Sequence, residues 1–564
     1  MISRDQALDA MRDERFDVVV VGGGITGAGV ALDAASRGYS VALVERDDFA
    51  QGTSSRSSKM VHGGLRYLQN FDLGLVREAL LERQLLVRLA PHLVYPTPFL
   101  VPALGEGRRD RRIGIGLNMY DVMATSRIGR GRSQRSEHSG DLDYWSPDRH
   151  RTISGEEAAE LIPALAPMEP SSAYLFYDCQ TDDVRLVLTV LGEAERFGAV
   201  VVNGAEVTEV LDDGGRAAGV ACVEAESGER FEVRADNVVN ATGVWADRIR
   251  PGELLAEEEI PKIRPSRGTH VTISTDDIEI GTAACIVPAG GERTIFALPW
   301  YGRVLAGTTD NDYEGDIDRV PPSPDDVGYL LEALNAYFGT EIEPERLTGS
   351  YAGVRPLISS GDPKKSVDIS RRAELYETSS GMLTITGGKL TTYRRMAAQV
   401  VDRITERDGR DAECRTDDIQ LGMTARPEDL ETEVSLPEGA ADQLAFRYGH
   451  AARAVLDLCE ERSELAAPIV PGHPDLLAEV VIAARREQAR SVADVLLRRT
   501  RLGLVAAPEL RDGEAVEAVA RLLGEELGWG KRRVAEEKDA WSAVAEAEGL
   551  DPSREPARQP SRSD

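Results

Sequence analysis

Cysteine is scarce in this 564-residue chain, and the five at positions 179, 222, 285, 414 and 459 lie too far apart for a CxxC metal or redox pair. They read as reduced core residues, because a chain of this length needs no disulfides to fold. No run of about 18 apolar residues occurs, and the opening MISRDQALDAMRDERF lacks the apolar centre of a secretory signal. The expectation is an intracellular, cytoplasmic protein whose membrane contact, if it has one, is peripheral. Positive charge is also short: 66 basic residues face 96 acidic ones, a formal charge of −30, which argues against a nucleic-acid partner. Lysine occurs only at positions 59, 262, 364, 365, 389, 531 and 538. An acidic, lysine-poor surface resembles proteins of salt-loving organisms, where high ionic strength screens the self-repulsion. Against that background Lys59 and Lys389 stand out.

The chain exceeds one core, since domains run to about 150 residues, and two or three packed units are expected. In FDVVVVGGGITGAGVALDAASRGYSVALVERD an apolar run, Val18 to Val21, turns at glycine into a helical pattern ended by Gly38. A second apolar run, Val41 to Val44, delivers Glu45. The spacing Gly22, Gly24, Gly27 is the dinucleotide fingerprint: tight turn, close approach to a pyrophosphate, close helix packing. Glu45 stands where an acid accepts the adenosine ribose hydroxyls. The fingerprint alone does not separate NAD from FAD. Two later segments repeat its theme, VVNATGVWAD from Val238 and LTITGGKLTTYRR from Leu383, so three separated stretches are expected to converge on one cofactor.

These motifs, with GTSSRSSKMVHGGLRYL, SRGTHV, LPWYGRVLAGTTD and YAGVRPL, resemble the FAD-dependent glycerol-3-phosphate dehydrogenase family, among the glycine and D-amino acid oxidase-like flavoproteins. The likeness runs over roughly residues 16 to 400 and continues into LLAEVVIAARREQARSVADVLLRRTRLGL. It implies FAD as cofactor and hydride transfer from C2 of sn-glycerol 3-phosphate. It also implies that Thr53, Ser54, Ser55, Ser57, Gly63, Gly64, Leu65, Val207, Gly243, Asp310, Gly387, Gly388, Lys389, Leu390 and Thr391 belong to the FAD site, with Thr391 a hydrogen-bond donor to the flavin. Arg66 and Tyr67 would face the substrate. Arg355 and Lys389 join Arg66 as cations for a phosphate that carries close to two negative charges. His270 is the expected general base for the C2 hydroxyl, and His62, beside the glycines, is its rival. The resemblance leaves the electron acceptor open among a quinone, an iron–sulfur subunit and oxygen, and is compatible with a homodimer. It departs from one branch, because Cys414 and Cys459 form no cysteine cluster, and no metal site is expected.

The fold expected is α/β (α+β): a Rossmann-like FAD-binding domain from residues 16–90, 180–260 and 355–405. It is interleaved with an antiparallel β-rich substrate domain from 91–179 and 261–354. A helical domain over 410–550 and a disordered polar tail, 551–564, complete the chain. Two other functions compete: a flavin-dependent amine oxidase, which needs only one carboxylate-binding arginine, and a non-catalytic dinucleotide-binding subunit, which could lose His270, Arg355 and Lys389.

Overall fold

The computed structural model describes residues 3–64, 73–104, 111–124, 149–249, 263–291, 293–358, 373–511 and 513–551. The tail expected at 551–564 lies outside them except for Asp551. Among the described residues the strands form two sheets.

The first sheet has a parallel centre in the order Val200–Val202, Val41–Val44, Arg15–Val21, Arg230–Asn240, Leu383–Thr386. A parallel strand covered on both faces reads as a continuous apolar run, which is why Val18 to Val21 carries no alternation. Val18 and Val20 pack with Val30, Val187 and Val400 from three helices on one side. Val19 and Val21 join Met11, Val220 and Val233 on the other. Glu374–Glu377 adds antiparallel to Leu383–Thr386 at one edge, and the hairpin Ala205–Asp212 with Ala217–Glu224 pairs onto Arg230–Asn240.

The turn after Arg15–Val21 shows why its residues are glycines. Gly22 has φ +111°, which only glycine adopts without strain. A Cβ on Gly27 would lie 1.9 Å from the Gly22 carbonyl oxygen, so the helix Ile25–Ser36 approaches the turn closely only because that atom is missing. Gly27→Ala should therefore cost about 1–3 kcal/mol of overpacking and release the cofactor, read as a lower urea midpoint together with lost flavin absorbance in the purified protein.

The second sheet takes its strands from residues 95–180 and 263–358, with Met60–Val61 at one edge. Its long pair, Ile263–Ser274 against Leu347–Ile358, is antiparallel and sets His270 opposite Tyr351 and Ser266 opposite Arg355. The sheet is antiparallel apart from one pairing, Tyr95–Ala103 with Ala284–Pro288, where the two chain segments that build it meet. Strands from separate segments can enter side by side in either direction, whereas a hairpin cannot.

The C-terminal part is helical from Ala440 onward. Between 410 and 439 the chain makes only the short turn Pro427–Asp429, since Pro427, Pro437 and Gly439 interrupt any helix there. The π-helical turn Asp494–Arg499 and the residues after it face the first sheet's loops through charge rather than apolar contact. Arg498 and Arg499 both bond Asp48, Arg185 pairs with the partly buried Glu487, and Arg501 reaches Asp182 and Asp183, the other partners all being deeply buried.

Candidate functional site

A cavity of about 520 Å³ opens at the C-terminal ends of the parallel strands, where doubly wound sheets bind ligands. Three distant turns meet in it: Gly22 and Gly24 after the first strand, Ala241 to Gly243 after Arg230–Asn240, and Gly387 to Lys389 after Leu383–Thr386. Of the residues singled out in the sequence, Gly22, Gly24, Glu45, Thr53, Ser54, Ser57, Val207, Gly243, Gly387, Gly388, Lys389 and Leu390 line it.

The cavity suits a dinucleotide at its phosphate end. The Ile25–Ser36 helix has no acid in its first turn, and its Ile25 N–H donates to Ser54 Oγ at 3.0 Å, so its N-terminal field favours an anion. Cβ atoms on Gly22, Gly23 and Gly24 would meet Ala241 O at 2.7 Å, Phe49 Cδ1 at 2.8 Å and Ser54 Oγ at 3.1 Å, so glycine alone leaves the cradle clear. The Glu45 carboxylate is already steadied by backbone N–H groups, Gly23 N to Oε2 at 2.6 Å and Asp47 N to Oε1 at 3.0 Å. Burial pushes its carboxyl up to about 7 against those two donors.

At the far end the Gly387–Gly388 turn, both residues at positive φ, leads through the short turn Leu390–Thr392 into the helix Tyr393–Asp408. Lys389 caps that turn on the cavity wall. The Thr391 hydroxyl donates to the His62 carbonyl at 3.3 Å and accepts from the His62 N–H at 3.2 Å. It thus fixes the His62 backbone beside the second glycine turn. The Gly63 N–H donates to Tyr120 Oη at 2.9 Å, and a Cβ there would strike Leu80 at 2.4 Å. Ser55 Oγ turns back to the Gln51 and Gly52 carbonyls. Gly27, Ser55, Gly63, Gly64, His62 and Thr391 stand behind the cavity rather than on its wall. Leu65, Arg66 and Tyr67 lie outside the described residues.

His270 and Arg355 share one face of the second sheet, because pleat alternation sets Ser266, Gly268 and His270 against Arg355, Gly353 and Tyr351. Glycines make room for both. A Cβ on Gly307 would lie 2.3 Å from His270 Cδ2, and one on Gly268 would lie 2.6 Å from Arg355 Nη2. Arg355 donates to Asp310 Oδ1, Thr308 Oγ1 and the Thr309 carbonyl, each at 3.2 Å. Asp310 also accepts from Ser266 Oγ, so this carboxylate steadies the guanidinium and is not on the cavity wall.

The His270 imidazole is buried, stacks on Tyr351 with centroids 4.8 Å apart, and lies 2.9 Å from Ser58 Oγ through Nε2. Its Nδ1 has no hydrogen-bond partner among the described residues. Burial, with help from the positive charges of Lys59 and Arg355, holds its pKa well below the ordinary histidine value. The ring is therefore neutral at pH 7, as a base must be.

Several contacts near the site are encoded by no local motif. Arg46 lies over the Trp245 ring at 5.2 Å and bonds Asp318 at 3.0 Å, and both Arg46 and Trp245 are on the cavity wall. Asp48, Asp182 and Asp183 join the cavity's loops to the C-terminal arginines, contacts between positions some 300 to 450 residues apart that no local pattern encodes. Lys59 is buried against Asp183.

Residues 17–394 match the family described as FAD dependent oxidoreductase, and residues 414–534 match the C-terminal domain of alpha-glycerophosphate oxidase. Glycerol-3-phosphate dehydrogenase 2 of Mycobacterium bovis is 36% identical over 546 residues, covering 95% of this chain and 89% of that protein. Glycerol-3-phosphate dehydrogenase 1 of the same organism is 38% identical over 535 residues, covering 92% of this chain and 96% of that protein. Among solved structures, the glycerol-3-phosphate dehydrogenase from Bacillus halodurans complexed with FAD superposes with a TM-score of 0.75 at 26% identity, covering 99% of this chain and 100% of that one.

Proposed function

The chain belongs to the FAD-dependent oxidoreductases, in their glycerol-3-phosphate dehydrogenase branch, and from this we propose that it oxidises sn-glycerol 3-phosphate at C2 to dihydroxyacetone phosphate. The observation that carries the reading is the meeting of three remote glycine turns on one cavity. When bound there, FAD supplies the hydride acceptor.

The roles follow from the chain's own groups. The backbone of Gly22 to Ile25 receives the pyrophosphate at the helix N-terminus. Glu45 accepts the ribose hydroxyls. Neutral His270, hydrogen-bonded to Ser58 Oγ, would take the C2 hydroxyl proton. Arg355, steadied by Asp310, and Lys389 bring positive charge to the phosphate, and the family resemblance adds Arg66 and Tyr67. The first sheet with its helices then forms the FAD domain, residues 16–90, 180–260 and 355–405, and the second sheet the substrate domain. Electrons leave to a quinone or an iron–sulfur partner at the inner face of the membrane. No helix among the described residues is long and apolar enough to cross it.

The test is spectroscopic. The protein purified in molar salt should carry a flavin spectrum that glycerol 3-phosphate bleaches without oxygen, while glycerol, glycine and sarcosine leave it unchanged. Bleaching by an amine, or a protein without flavin, would overturn the reading.

A further inference from the structure

The described residues hold one buried lysine that the roles above leave unused. Lys59 is fully buried and sits in the left-handed region at φ +57°, where its N–H donates to Ser57 Oγ at 3.1 Å. Its Nζ donates to the Ser55 carbonyl at 2.6 Å and to Asp183 Oδ2 at 2.8 Å. Asp183 is itself fixed by Arg501 of the C-terminal part and by the Ser57 N–H and hydroxyl. The ammonium then lies 4.7 Å from the centroid of the Tyr351 ring, within cation–π range. The phenol of that ring donates to the Ser57 carbonyl at 2.8 Å, and the ring stacks on His270 at an interplanar angle of 11°. Residues 57 to 59 thus hold both sides of the pair, Ser58 taking the imidazole edge and Lys59 the outer face of the phenol ring.

We propose that Lys59 is a positioning residue of the reaction: pinned by Asp183 against Tyr351, it keeps that ring flat on the His270 imidazole and repels a proton from it. This rests on the reading of His270 as the base. The charged groups acting on His270 agree in sign. Lys59 and Arg355 are positive, Tyr351 is uncharged because burial lifts its phenol well above the ordinary value, Ser58 is neutral, and Gly307 brings no charge. Burial and Arg501 push Lys59 itself down to about 7, against the pull of Asp183. It is consequently charged through the more acidic range in which His270 takes up its proton.

The sign is fixed. Removing Lys59 takes away a like charge, so the His270 pKa rises and the acid limb of kcat/KM for glycerol 3-phosphate moves to higher pH. Lys59→Met suits the test, since Asp183 keeps Arg501 and Ser57 as partners. Made as holoprotein, this variant should retain its flavin and shift the limb upward by about one pH unit. Lys59→Arg, which keeps the charge, should leave the limb in place even if the rate falls. An independent readout is the titration of His270 in 15N-histidine-labelled protein, which has only seven histidines to resolve. Its midpoint should rise in Lys59→Met and not in Lys59→Arg. An unmoved midpoint with flavin retained, or loss of flavin in both variants alike, would reduce Lys59 to packing and overturn the proposal. If His270→Ala keeps its rate, the base assignment fails instead, and the labelled titration still reports on Lys59.

Discussion

His270→Ala slows anaerobic bleaching of the flavin by glycerol 3-phosphate about 100-fold or more, the scale of a lost general base. The flavin itself stays bound, because His270 is not on the wall of the cofactor cavity. The loss falls in the chemical step. Substrate affinity should change little, because the proposed phosphate ligands, Arg355 and Lys389, are untouched. Stopped-flow reduction over a range of substrate concentrations separates the two, the limiting rate dropping while the half-saturating concentration holds. The rival remains on the same footing: if reduction in His270→Ala stays fast and His62→Ala abolishes it, the base is His62, whose backbone Thr391 fixes behind the cavity.

The second large effect is on stability. Asp48→Ala should cost about 3–5 kcal/mol, the scale of removing one partner from a buried ion cluster, and should loosen FAD as well. Asp48 accepts from Arg499 Nη1 at 2.9 Å and Nη2 at 2.8 Å, from Arg498, and from Asn203 Nδ2 at 3.1 Å. Its removal leaves two buried guanidinium groups with fewer acceptors, and the loop from Glu45 to Gln51 loses its anchor. Urea unfolding followed by flavin release reads both losses, and Asp48→Asn, which keeps part of the bonding, should fall between. The pH dependence has a definite sign. Burial raises the Asp48 carboxyl, but Arg499 and Arg498 outweigh it and bring the pKa down to about 2. Its contribution is therefore complete above the ordinary carboxylate range and is lost as pH falls through about 2.

The cofactor half of the site was legible because its signals are local. The run Val18 to Val21, the turn at Gly22 and the acid at Glu45 lie within 30 residues, and each answers to a backbone requirement that composition displays. The backbone partner of the Thr391 hydroxyl was not readable from the sequence, because a hydroxyl's partner depends on which backbone happens to lie beside it. Asp310 was expected in the FAD site, yet only the pairing of distant strands reveals that it bonds Arg355.

The sequence by itself determined the parallel dinucleotide-binding unit, from spacing within single segments, and the family, from motif order; the family resemblance then implied FAD. Tertiary structure alone decided which charges are paired. The −30 surplus suggested a solvated acidic surface. It did not reveal that Arg498, Arg499 and Arg501 turn inward to Asp48, Asp182 and Asp183, or that Lys59 lies behind Tyr351 and His270. A buried charge is tolerated only where a partner from elsewhere in the chain arrives to meet it, and that arrival is a property of the folded arrangement, not of any stretch of residues.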